Sequence, residues 1–206
     1  MAWVNAVIQG ILTGGLYALF ACGLSLLFGV MKVVNLAHGD LATVAGYVGV
    51  GVVAAFHLPF LWSVPVVVLL GLQYFLSSSG PGRLIRAVAD VPEAAQLSGV
   101  DYRHVFGIAA AIAFGTVALA GLAFGMYSSF DPTIGTDQLL LFAFEAVVIG
   151  GLGSLWGTLA GGIVLGVVQQ LGAQVNAADQ ILAGQLIFLV ILVVRPQGLT
   201  GQRSTA

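Results

Sequence analysis

The sequence predicts an all-α protein, a polytopic transmembrane helix bundle of about six spans with its N-terminus outside and its C-terminus cytoplasmic. Three observations predict it. The 206 residues are 59% hydrophobic and only 7% charged, whereas a soluble domain carries about 25% charged residues. Long apolar stretches, residues 2–31, 41–82, 105–130 and 138–178, alternate with short polar breaks, and roughly 20 apolar helical residues cross a hydrocarbon core about 30 Å thick. All six basic residues, Lys32, Arg83, Arg86, Arg103, Arg195 and Arg203, can be placed on one side of such a membrane.

The first span covers residues 5–31 and ends at Lys32. Residues 33–40, with Asn35, His38 and Asp40, form a polar interruption before the second span, 41–56. His57-Leu58-Pro59 breaks that span, because proline removes a donor and biases its predecessor away from helix. A third span covers 60–77. Residues 77–82, Ser-Ser-Ser-Gly-Pro-Gly, read as a loop on composition. The one long polar stretch follows, residues 83–104. Within it residues 91–97 read as a short helix: Pro92 suits the first helical position, Glu93 the positive end of the dipole, and Gly99 the stop. A fourth span covers 105–127, and 131–137 is a loop. Residues 138–172 are too long for one span, and Gly150-Gly151-Leu152-Gly153-Ser154 divides them into two. A loop at 174–179 precedes the last span, 180–194. The positive-inside rule puts Arg83, Arg86 and Arg103 in the cytoplasm. Counting outward from there leaves acidic residues and His57 on the external side.

The composition excludes other classes. With a net charge of −2 and no basic patch, nothing here neutralises nucleic-acid phosphates. The single Cys22 cannot form an internal disulfide and reads as a small packing residue. The 29 glycines suit a packed bundle, since small residues let helix backbones approach closely in lipid. The start, Met1-Ala2-Trp3-Val4, lacks the positive n-region of a cleavable signal. Residues 1–206 read as one multi-pass transmembrane domain.

Several motifs then carry a resemblance. Gly15-Leu16-Tyr17-Ala18-Leu19, Gly23-Leu24-Ser25-Leu26-Leu27-Phe28-Gly29 and Val34-Asn35-Leu36-Ala37-His38-Gly39-Asp40 are followed by Gly82-Arg83-Leu84-Ile85-Arg86-Ala87, Glu93-Ala94-Ala95 and Gly99-Val100-Asp101. Gly150-Gly151-Leu152-Gly153-Ser154 with Gly157 and Gly161-Gly162, and the ending Arg195-Pro196-Gln197-Gly198-Leu199, complete the series. In this order the chain resembles the LivH-type permease subunits of branched-chain amino acid ABC transporters. It departs from them near residues 70–75, where such permeases carry an extra helix pair. Losing an even number of spans preserves the orientation of the rest.

The resemblance implies an importer subunit for branched-chain amino acids or a related small polar solute. Its partners would be a second permease subunit in a heterodimer, two cytoplasmic ATPase subunits, an external solute-binding protein and membrane lipid. No cofactor is implied. Residues 80–104 would be the cytoplasmic loop that docks on an ATPase, with Arg83, Arg86, Glu93, Ala94, Ala95 and Gly99 as its candidate residues. From the residues alone, the same stretch could be an ordinary solvated loop. Urea and amide permeases share most of these motifs, and an ATP-independent channel or carrier is the other alternative. Such a channel has no need of the segment around Glu93.

No catalytic or metal-binding set stands out. His38 and Asp40 supply two ligands where a closed site needs more, so Asn35 and His38 read as hydrogen-bonding groups that hold a helix interruption. Glu145 is the one charged residue inside an expected span. Either it lines the solute path or pairs across a helix interface, since charge in a bilayer faces inward, or it reaches the headgroups. Gly150, Gly151 and Gly153 suit a broken helix beside a substrate or close packing, while Gly157 and Gly161, four apart, suit packing. Without a following Lys-Ser/Thr, the glycine run is no nucleotide loop.

Overall fold

The computed structural model describes residues 2–32, 37–56, 79–90, 101–127 and 138–200. The third expected span, the loop at 131–137, and Asn35, Glu93, Ala94, Ala95, Gly99 and Arg203 lie outside these residues. Every described element is a helix: α1 (Ala2–Met31), α2 (His38–Phe56), α3 (Gly80–Asp90), α4 (Tyr102–Tyr127), α5 (Leu140–Gly150), α6 (Leu155–Val175) and α7 (Asp179–Val194). By length and composition, Ala2–Met31, Arg103–Gly125 and Leu155–Val175 can each cross a membrane.

Three boundaries differ from the sequence reading. His38, Gly39 and Asp40 form the first turn of α2 and not an interruption. Asp40 there meets the positive end of the helix dipole, and Leu41 N–H already donates to the Ala37 carbonyl at 3.0 Å. Helix α3 starts at Gly80, inside the Ser-Gly-Pro-Gly run expected to be a loop. The cause is the pattern that follows: Ile85 and Val88, three apart, are buried, while Arg83, Leu84 and Ala87 are exposed. That amphipathic stripe anchors a helix, and Pro81 is tolerated in its first turn, where the N–H has no intrahelical partner. Helix α4 begins at Tyr102, because Asp101 Oδ1 accepts from the Arg103 N–H at 2.9 Å and caps the first turn.

Helix α1 is the axis of the bundle. From Leu16 to Leu27 every residue is buried, and α1 packs on α4, α5 and most extensively on α6. Lipid tails give no hydrophobic reason for helices to associate, so contact rests on close van der Waals fit. Glycine supplies it. Gly10 and Gly14 of α1 face Gly162 and Gly166 of α6. A Cβ on Gly14 would lie 2.6 Å from the Gly162 oxygen, and one on Gly162 would lie 2.7 Å from the Gly14 oxygen. A second face of α6 carries Gly157 and Gly161, pressed on Gly150 and Ala146 of α5. Helix α2 packs on α4, where Gly121 meets the Ala42 backbone. Helix α7 is peripheral: Gly184 is its one buried residue, and it rests mainly on α6.

Candidate functional site

Polar side chains from four helices meet inside this bundle. The Tyr17 hydroxyl of α1 donates to Gln169 Oε1 of α6 at 2.9 Å, a buried bond across 152 residues. The Tyr17 ring tilts at 43° against Phe142 of α5, centroids 5.0 Å apart. Phe142 stands one turn before Glu145, whose side chain is 0% exposed. On the far side, Gln169 packs on the bare backbone of Gly184 in α7, where an added Cβ would lie 2.8 Å from Nε2. The next residue, Gln185, comes close to Glu145 without completing a hydrogen bond of good geometry.

The hydrogen-bond count leaves a remainder. An amide offers two donors on nitrogen, and an ionised carboxylate only accepts. Tyr17 occupies the oxygen of Gln169, which turns the amide nitrogen away from it. Gln169 Nε2 and both Glu145 oxygens then have no partner among the described residues. Buried polar atoms are normally paired, because an unmet group forfeits its hydration for nothing.

His38 belongs to a separate place, between α1, α2 and α4. Its Nε2–H donates to the Phe20 carbonyl at 2.9 Å. Gly23 makes the room: a Cβ there would lie 2.9 Å from both His38 Cε1 and Thr116 Oγ1. The contacts of His38 thus tie the start of α2 to the middle of α1.

Gly150, Gly151 and Gly153 form the reversal between α5 and α6. Gly151 (φ 105°) and Gly153 (φ 84°) take backbone angles that side chains disfavour. Ser154 caps α6 by accepting from the Gly157 N–H at 3.1 Å. The chain end then returns to this turn. Leu199 N–H donates to the Ile149 carbonyl at 2.8 Å and Thr200 N–H to Gly150 at 3.1 Å, meeting two of the carbonyls that a helix end leaves open. Thr200 Oγ1 donates to the same Gly150 carbonyl at 2.6 Å and lies 3.0 Å from Ser154 Oγ. Two motifs joined by a bond across 50 residues are therefore one unit in space.

Of the sequence candidates, the structure joins Glu145 to the four-helix cluster, Gly150, Gly151 and Gly153 to the turn, and His38 to the α1–α2 contact. Arg83 and Arg86 lie on α3. Sequence reasoning passed over Gln169 and Gln185. The available signal was a glutamine inside an otherwise apolar span, for which Gln169 qualifies.

Comparison with known proteins decides the family. The family model described as branched-chain amino acid transport system / permease component matches residues 6–73 and 60–194. The chain belongs to this permease family. As a member it is a multi-pass protein of the cell inner membrane. The two matched pieces overlap over residues 60–73. Among its relatives is the high-affinity branched-chain amino acid permease BraD of Pseudomonas aeruginosa, 34% identical over 155 residues, covering 74% of this chain and 50% of that protein. LivH of Escherichia coli K12 is 32% identical over 145 residues, covering 69% and 46%. The fructose import permease FrcC of Rhizobium meliloti is 36% identical over 143 residues, covering 65% and 39%. The chain spans about half the length of BraD and LivH. No solved structure matches it.

Proposed function

We propose that the chain is the membrane-spanning subunit of an ABC importer for branched-chain amino acids or a related small polar solute. The family match through both ends of the chain carries this reading. The chain pairs with a second permease subunit. One of two cytoplasmic ATPases docks on residues 80–104 and the pair supplies the energy, so ATP hydrolysis lies outside this chain. An external binding protein delivers the solute. Closure of the ATPases moves the docking segment and opens the outer side, each ligand shifting the balance between two pre-existing arrangements. The likeness to a permease named for fructose favours a second reading, in which the solute is not an amino acid.

One experiment tests solute, energy source and docking together. The assembled complex in proteoliposomes is expected to accumulate labelled leucine only with ATP and binding protein present. Fructose or urea accumulation without leucine uptake would shift the reading to the second solute class. Gly99→Val is expected to leave the chain inserted, abolish copurification of the ATPases, and reduce uptake to background. Bound, transport-coupled ATPases in that variant would move the docking site elsewhere.

The proposed topology has six spans with the N-terminus outside. In a Cys22→Ser background, cysteines at Ser79 and Ser204 are expected to react with impermeant maleimide only from the cytoplasmic side, and a cysteine at Thr136 only from outside. Reaction of the Ser79 and Thr136 positions from the same side would overturn it.

A further inference from the structure

We propose that Glu145 and Gln169 form an occluded binding site for the zwitterionic head of an α-amino acid, the ammonium group on the Glu145 carboxylate and the carboxylate on the Gln169 amide nitrogen. The site rests on the transport reading above and names where within the bundle the solute is held.

Two unmet groups of opposite kind carry it. Glu145 presents two acceptors and Gln169 a donor, all within the protein and without partners among the described residues. Both residues are buried, at 0% and 1% exposed. One helix touches both: Gln169 lies on Gly184 of α7, and the adjacent Gln185 approaches Glu145. Tyr17 bridges the same two helices, through Gln169 and through Phe142. Its hydroxyl fixes the amide so that nitrogen, not oxygen, is the free end. An acceptor and a donor so paired match an ammonium and a carboxylate on one carbon. A lone cation would leave Gln169 unmet, and a lone anion would leave Glu145 unmet.

The same geometry supplies an entrance. Helix α7 closes over both residues, yet Gly184 is its one buried residue. An element with few buried contacts opens at low cost. A small outward shift of α7 exposes Glu145 and Gln169 together while the glycine contacts of α1 with α6 stay intact. Bringing the solute's charges into this low-dielectric site strengthens each paired hydrogen bond.

The test uses the assembled complex in detergent and labelled leucine. Glu145→Gln keeps the shape of the side chain and removes its charge. It is expected to weaken leucine binding at least tenfold, about 1.4 kcal/mol, while binding of 4-methylpentanoate, which lacks the ammonium, is unchanged. Gln169→Glu keeps the acceptor for Tyr17 and places a negative charge opposite the solute carboxylate. It is expected to abolish leucine binding and to spare isoamylamine, which lacks the carboxylate. The unmutated complex gives an independent readout. Leucine is expected to slow modification of Glu145 by a hydrophobic carbodiimide, read by mass spectrometry, and leucine's hydroxy-acid analogue is not.

Wild-type affinity in Glu145→Gln, or equal losses for leucine and both half-ligands, overturns the site and leaves the transport reading standing. If both variants fail to assemble and leucine gives no protection in the unmutated complex, the residues serve helix packing and the site is overturned. A wild-type complex that binds no leucine removes the transport reading and the site with it.

Discussion

Gly166→Leu is expected to destabilise the whole bundle severely. A Cβ at this position would overlap the Gly10 carbonyl oxygen, and would sit 2.5 Å from the Gly14 nitrogen and 2.6 Å from its Cα. These are backbone atoms of a helix and cannot swing aside as the end of a long side chain would. The remaining atoms of leucine force α1 and α6 apart along their whole glycine face. Overpacking a well-fitted interior costs about 1–3 kcal/mol and more where nothing yields, against a total stability on the order of 5–15 kcal/mol. Because α1 is the axis on which α4, α5 and α6 all rest, the damage is not local. The check is size-exclusion chromatography and thermal unfolding of the purified variant: aggregation, or a collapse of the transition, is expected. Gly15→Leu is the control on the same helix. A Cβ there meets nothing within 4 Å, and that variant is expected to unfold as the parent does. A Gly166→Leu protein with parental unfolding would mean that α1 and α6 are not packed through these glycines.

Gly198→Val is expected to release the chain end from the turn between α5 and α6. Gly198 has φ +78°, and an added Cβ would lie 2.5 Å from Gly151 N and 2.8 Å from the Val148 oxygen. The backbone angle alone costs a side-chain-bearing residue about 1–2 kcal/mol. The bonds from Leu199 to Ile149 and from Thr200 to Gly150 are then lost together. In hydrogen exchange the amides of Leu199 and Thr200 are expected to speed up by about tenfold or more, since local opening sets their protection. The amides in the middle of α6 are expected to keep their rates. Unchanged exchange at Leu199 and Thr200 would show that these amides are not held by the turn.

Much of this arrangement is legible in the sequence, and the exceptions are informative. The break at Gly150–Ser154 was visible because glycines and a capping serine interrupt an apolar block too long for one span. Helix α3 was not, because Ser-Gly-Pro-Gly is turn chemistry by composition, and the burial of Ile85 and Val88 overrides it. Gly157 and Gly161 could be read as a packing face from their spacing. Their partners could not, since Gly10, Gly14, Gly150, Gly162 and Gly166 are all alike as small residues. Tyr17 and Gln169 sit 152 residues apart, and no local pattern links them.

Local sequence settles the solvent and the elements: a chain this apolar and this poor in charge forms helices in a bilayer, with breaks at glycine, proline and charge. These are local properties, because transfer to lipid and backbone preference are decided within a few residues. Tertiary packing settles which glycine face meets which, that the chain end closes the α5–α6 turn, and that Glu145 and Gln169 are both enclosed. Those outcomes depend on the fit of surfaces distant in sequence, and in lipid no hydrophobic force ranks one apolar face above another. Only the close approach of backbones does, and that exists nowhere but in the assembled bundle.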